Sequence, residues 1–246
     1  LKKHHISIDD ARLQKANLHI ELADTAAVDS TNTPVRWTIH SDKLQIKDTD
    51  VALKLADKQT NVKAHIGNAT AENGDFDLES ADYKLESLSL KKSEANYDVA
   101  NAPHSNGLDA NHLQLTDLKL KARNIHYKDP RLDLKLDELA FKEQSGLEVE
   151  NLSGNLNLQN GKAHLSGVKL KTSESELTTD IDLDLNAFDG ANPGQLNTHI
   201  HGEVGKNDLM KVLGDFPKSF RKQWPNRPLA LDGEVQGNLE HLTIPK

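Results

Sequence analysis

Apolar and polar residues alternate along most of this chain with a period of two. Leu132, Leu134 and Leu136 are separated by Asp133 and Lys135, and Ile181, Leu183 and Leu185 by Asp182 and Asp184. Successive side chains of a strand point to opposite faces, so each such segment has one apolar and one charged face. The pattern recurs at 6–8, 18–22, 44–46, 51–55, 88–90, 113–115, 118–120 and 152–158. Strands are therefore predicted over nearly the whole length. The charged alternates exclude a parallel α/β sheet, whose strands are apolar on both faces.

The alternation slips by three residues at Leu85 to Leu88, Leu115 to Leu118, Leu136 to Leu139, Val149 to Leu152, Leu165 to Val168 and Leu239 to Leu242. In a regular strand a step of three sends the second residue to the opposite face. The apolar set stays together only if the chain bulges or turns a corner at each slip, and repeated corners bend a sheet. The slips are unevenly spaced, whereas a regular solenoid has a fixed period. The expectation is an all-β fold: an elongated, strongly curved antiparallel sheet, an open or β-helix-like trough made of uneven hairpins. Turn signals fall at Asn73-Gly74, Asn106-Gly107, Asp129-Pro130, Ser145-Gly146 and Asn160-Gly161. The last suits a tight type I′ hairpin. Longer loops are expected at 24–34 and 100–107.

One stretch departs from the alternation. Asn207 and Asp208 are placed to cap a helix carrying Leu209, Met210, Val212 and Leu213, which Gly214 ends. Pro217 opens a second short turn through Phe220 to Trp224, and Pro225 stops it. The segment 207–224 reads as a helical flap within one continuous domain spanning 1–246. Its role is open between closing the end of the sheet and making an amphipathic contact with lipid or a partner.

Composition narrows the function. The 246 residues are 36% hydrophobic and only 4% aromatic, and the net charge is −8 with no basic block. Nucleic-acid binding wants a positive face and stacking aromatics, which are missing here. With no cysteine, disulfides and Cys-ligated metals are excluded. No run of 18 apolar residues occurs, so this stretch does not span a membrane as a helix. Because it starts at Leu1 without a signal peptide, it reads as a piece of a longer protein, with any anchor or export signal outside it.

The chemistry-bearing residues form no catalytic signature. His199 and His201 flank Ile200 and share a face, but the local sequence supplies no third metal ligand. Asp180, Asp182 and Asp184 lack the Gly and Glu of a calcium loop and read as the outer face of a strand. Nucleophile-elbow, Walker, dinucleotide and zincin motifs are absent. No cofactor or metal site is assigned.

The apolar face must be covered by something. Its residues are mostly Leu and Ala, where ordinary strands favour β-branched and aromatic residues. Either these Leu pack on each other as a closed core, or they line a groove that accepts flexible acyl chains. The candidate lining is Leu113, Leu115, Leu118, Leu120, Leu132, Leu134, Leu136, Leu139, Phe141, Leu156, Leu158, Leu170, Ile181, Leu183 and Leu185.

The stretch 113–188 resembles the TamB family of envelope proteins, within the wider AsmA-like group. The resemblance rests on the run from Leu113 to Leu120, Asn124-Ile-His-Tyr, the run from Leu139 to Val149 with its Phe-Lys-Glu-Gln-Ser-Gly element, and Leu152-Ser-Gly. It continues through Val168 to Leu177 with its Ser-Glu-Leu element, and from Asp182 to Phe188. It implies a long curled sheet, or β-taco, with an apolar inner groove. It implies a non-catalytic protein in the periplasm of a Gram-negative bacterium, held in the inner membrane by an N-terminal helix that this stretch lacks. Phospholipid would be moved toward the outer membrane, for outer-membrane biogenesis, with an outer-membrane barrel as partner through regions outside this stretch. The competing expectation is a structural or adhesive β-solenoid with a dry core.

Overall fold

A computed structural model describes residues 4–21, 37–55, 59–188, 194–214, 222–223, 225, 227–238 and 242–243. One thirteen-stranded sheet contains β1 (His4–Gln14), β2 (Asn17–Glu21), β3 (Trp37–Lys54), β4 (Thr60–Asp77), β5 (Asp82–Val99), β6 (His112–Lys128) and β7 (Arg131–Glu143). It continues with β8 (Glu148–Gln159), β9 (Lys162–Thr172), β10 (Glu176–Asp184), β11 (Leu196–Val204), β12 (Leu229–Gly237) and β13 (Leu242–Thr243). From β3 onward each strand pairs antiparallel with the next in sequence, and the sheet is open rather than closed into a barrel. One short helix, α1 (Lys206–Leu213), follows β11.

The strands are longer than the alternation alone suggests. The segment 44–46 and all but Leu55 of 51–55 lie in β3, and 113–115 and 118–120 both lie in β6. What separates them is a crease inside one strand. Asp48 and Asp117 adopt φ of 50° and 53°, the left-handed region that Asp and Asn tolerate better than most residues. Lys15 and Lys92 do the same in the N-terminal pair and in β5. The register brings these positions together: Asp48 and Gly67 both lie between the Lys47–Asn68 and Thr49–Ile66 pairs, and Gly67 packs on the Lys92 backbone within β5. Thr49 and Ser93, which follow two of the left-handed residues, are 0% and 1% exposed. Each hydroxyl donates to the carbonyl two residues back, Lys47 and Lys91, at 3.0 Å. The crease thus satisfies backbone groups that the bulge frees from the ladder.

A second crease crosses the sheet through Asn73 (φ 54°) and Asn124 (φ 53°), which flank Glu86, then Gly154 and Gly167 (φ 59°). This explains the slips at Leu85 and Leu165. Those at Leu136 and Val149 coincide with register shifts between β7 and β8 and between β8 and β9. The slip at Leu239 lies outside the described residues. Asn73-Gly74 is not a turn. Both residues lie within β4, and the chain reverses at 78–81. The left-handed preference of Asn was used for a crease. Asn160-Gly161 is a turn, with φ of 52° and 73° at its two residues, as type I′ requires.

The N-terminal edge departs from antiparallel order. β1 and β2 both pair parallel with β3, His4 opposite Trp37 and Glu21 opposite Lys54. They behave as one strand interrupted at Lys15, matching the crease at Asp48. The expected loop at 24–34 lies outside the described residues, as do residues 215–221 and Trp224 of the expected second helical turn.

At the first crease the chains approach closely. A Cβ on Gly67 would lie 2.1 Å from the Lys92 carbonyl oxygen. Gly67→Ala therefore forces two backbones apart, at a cost of about 1–3 kcal/mol. We expect its thermal midpoint to fall by several degrees, while Gly233→Ala, with no atom within 4 Å of the new Cβ, leaves it nearly unchanged. Equal midpoints in a circular-dichroism melt would show that the crease is not tightly packed.

Candidate functional site

The register joins apolar residues of successive strands into rungs that run across the sheet. One rung reads Ile6, Ile39, Phe76, Tyr83, Tyr127, Leu132, Leu158, Ala163, Leu183, Leu196, Gly237 and Leu242. A second reads Leu13, Ile46, Ala69, Leu90, Leu120, Leu139, Leu152, Leu170, Leu177, Gly202 and Leu231. Neither meets a charged residue. With strands about 4.8 Å apart, eleven steps of the first rung cover about 50 Å. Three of its aromatic rings follow one another, with centroids 6.2 Å apart for Phe76–Tyr83 and 6.1 Å for Tyr83–Tyr127.

Most of the sequence-predicted lining residues fall on these rungs or between them. Leu132, Leu158 and Leu183 lie on the first, and Leu120, Leu139 and Leu170 on the second. Leu134, Leu156 and Ile181 form a third line through Leu165, and Leu136 pairs with Ala122. Leu113 and Leu115 lie beyond the first crease, opposite Tyr97 and Ala95, and Leu118 lies opposite Ser93 at the crease itself. Phe141 pairs with Val149. Leu185 is elsewhere: it sits past the end of β10 in a 3-10 turn, 53% exposed. The alternation continues through it, but the strand stops at Asp184.

None of these side chains is fully buried. Among the described residues the buried apolar ones are Ala69, Ala122, Ala140, Leu147, Val149, Ala163 and Val168, four of them Ala. The accessible surface is 16024 Å², against about 11,000 Å² for a compact monomer of this mass. The Leu side chains of this face, from Leu113 to Leu183, are of intermediate exposure. The rung through Leu18, Val51, Ala64, Ala95 and Leu115 ends at Glu143 of β7, which is 4% exposed. One oxygen of Glu143 accepts from the Ser145 N–H at 2.7 Å, and the other has no hydrogen-bond partner among the described residues.

The opposite face is polar and paired by charge across strands. Lys43–Glu72 (3.4 Å), Lys142–Asp117 (3.0 Å), Lys171–Glu150 (3.3 Å) and His164–Asp182 (2.6 Å) are examples. Hydrogen bonds donated to Asp75 and Asp50 raise the pKa of His40 and His65. The bond from Lys121 holds Glu138 below the usual carboxylate range. The surface hollows, such as one of about 410 Å³ lined by His19, Asp50, Lys63, His65 and Glu94, include these outward residues.

At one rim, α1 lies beside three hairpin connections. Gly205 stands at its N-cap position without a side-chain bond, so Asn207 and Asp208 are not its caps. Asp208 is instead buried against the β9–β10 turn, where it accepts from the Thr172 hydroxyl (2.5 Å), the Ser175 hydroxyl (2.8 Å) and the Glu174 N–H (3.1 Å). Burial raises its pKa, but these bonds outweigh it and the carboxyl stays below its usual range. At the other end the Leu108 N–H donates to the Val212 carbonyl at 3.2 Å, and Gly214 packs on Asn106 and Gly107 of the β5–β6 loop. Gly146 of the β7–β8 turn lies next to the Lys211 side chain.

The β5–β6 loop holds a cluster that the sequence did not reveal. Asp109, 4% exposed, accepts from the backbone N–H of Ser105 (3.0 Å), the His112 ring (2.9 Å) and the Asn111 N–H (3.1 Å). The Ser105 bond and its companions outweigh burial and hold the carboxyl at about 2. His104 Nδ1 is 3.5 Å from the same oxygen that His112 meets. His199 and His201 do share a face, and Asp232 of β12 reaches both, at 3.3 and 3.6 Å, through different oxygens.

The family model described as "YdbH-like: Intermembrane phospholipid transport protein YdbH" matches residues 1–243. The chain belongs to this family. The family is part of the AsmA/TamB-like lipid transport group, so the resemblance holds at the level of the group, and the matching family is YdbH-like rather than TamB itself. No curated protein and no solved structure matches the chain. The family's activity is phospholipid transport, which makes phospholipid the cargo. Among the described residues no helix is long and apolar enough to cross a membrane.

Proposed function

We propose that the creased sheet is itself a conduit: acyl chains lie along the apolar face and headgroups stay in water. The observation that carries this is the pair of unbroken apolar rungs, whose Leu side chains among the residues of described burial remain part-exposed. The rungs run across the strands, in the direction in which the strands stack. A lipid can therefore pass from strand to strand without crossing a charge. Each methylene removed from water contributes about 0.8 kcal/mol, so binding needs no specific polar contact. Leu, with more rotamer freedom than β-branched residues, suits chains of varied shape. On this reading the chain works in the periplasm, and transport proceeds without bond chemistry.

The dry-core alternative requires the Leu face to be closed, and its part-exposure argues against that. Native mass spectrometry of the chain purified from bacterial envelopes, with lipid extraction, separates the two. Co-purifying phospholipid is expected. A stable, lipid-free protein would mean that the Leu face packs on itself.

A further inference from the structure

We infer that His104, Asp109 and His112 form a binding site for a divalent transition-metal cation of the zinc class, at the rim of the sheet and apart from the apolar face. One ligand atom from each residue lies within 4.8 Å of the others. The His112 and His104 ring nitrogens stand 2.9 and 3.5 Å from one Asp109 oxygen. Tetrahedral zinc, with ligands at about 2.0–2.1 Å, separates its donor atoms by about 3.3 Å, so both distances bracket the required edge. Two imidazoles and a carboxylate are a donor set that suits this class of ion and not calcium or magnesium, which prefer oxygen.

The site is held before any ion arrives. The Ser105 and Asn111 N–H groups orient the buried Asp109 carboxylate. His112 opens β6 and is 8% exposed, and its carbonyl accepts from the Gln144 side chain. His104 is the exposed partner: its side chain is 80% exposed, and its ring centroid lies 3.8 Å from that of His112. It can swing to complete three ligands and leave the solvent side for water. Binding at His112 Nδ1 would replace its hydrogen bond to Asp109 and leave the ring proton on Nε2, so that a neutral imidazole ligates the ion. The same loop carries Leu108, which bonds α1, and Gly107, against which α1 ends. A cation here would fasten the loop that holds the C-terminal end of the helix.

The test is addition of zinc chloride to the EDTA-stripped chain, read by calorimetry and thermal melting. One equivalent is expected to bind. At a hundredfold excess over Kd the midpoint should rise by about 5–10 °C. His104→Ala and His104→Gln remove only an exposed ring, so both should fold and lose the shift. His199→Ala/His201→Ala, which removes the other His–Asp–His group, should keep it. The assignment is overturned by absence of binding, by a shift that survives both His104 variants, or by one lost only in the His199/His201 variant.

Discussion

Leu134→Arg should reduce phospholipid transfer between donor and acceptor vesicles at least tenfold while the protein stays folded. Leu134 pairs with Leu156, which pairs with Leu165, which pairs with Ile181. The line therefore runs through the middle of the sheet, in β7 to β10. An acyl chain passing this point would have to strip water from a guanidinium without supplying a partner, which costs several kcal/mol. Each 1.4 kcal/mol is tenfold in an equilibrium or a rate. The fold should tolerate the change because the Leu134 side chain is only part-buried, and an arginine can run its stem along the apolar surface and leave its head in water. Leu156→Glu should act alike. Lys135→Glu, one residue along and on the other face opposite Asn155, should transfer normally. If Leu134→Arg is folded by circular dichroism and transfers at the parent rate, lipid does not pass over this position.

Asp208→Ala should release α1 from the rim. The substitution takes the acceptor from the Ser175 hydroxyl and the Glu174 N–H of the β9–β10 turn, and leaves the Thr172 hydroxyl only the Ser175 carbonyl at 3.3 Å. Hydrogen bonds to a charged group contribute about 1.5–3 kcal/mol each, and orphaned buried donors carry a penalty of similar size. We expect a loss of about 2–4 kcal/mol of local stability, read as faster amide exchange over 206–213. The sign with pH follows from the lowered carboxyl. A group whose pKa is depressed by folding contributes stability above its unfolded value, and that stability is lost as pH falls through the folded value. Parent and variant should therefore differ at neutral pH and converge in acid. Unchanged exchange at neutral pH would mean that α1 is held by its other contacts with the β5–β6 loop.

Much of the architecture is written in the period of the apolar residues. The slips at Leu115 and Leu165 mark creases because the intervening Asp117 and Gly167 take positive φ. The slip at Leu85 marks one in the neighbouring strands, where Asn73 and Asn124 carry the strain. Other features depend on distant pairings that spacing does not encode. Asn73-Gly74 has turn chemistry, but the register with Leu85 keeps it inside β4. The parallel edge formed by β1 and β2 also leaves no local mark.

The site was legible to the same extent. Leu132, Leu134, Leu156 and Ile181 fall on apolar lines because register preserves their face. Leu185 does not, because the strand ends one residue earlier. Asp208 has the composition of a helix cap, yet its partners come from a turn more than 30 residues upstream. His104, Asp109 and His112 are separated by ordinary loop spacing, and only the fold of the β5–β6 connection brings one carboxylate oxygen to both rings.

The central claim is that lipid lies on one face of the sheet, and site-specific photo-crosslinking tests it most directly. A photoreactive residue at Leu132, Leu158 or Leu183, all on one apolar rung, is compared in native envelopes with the same residue at Asp133, Asn157 or Asp182. Those positions are the immediate neighbours on the charged face. Mass spectrometry should find phospholipid adducts at the first three positions and none at the second three. Adducts on both faces alike, or none on the apolar rung, would contradict the conduit.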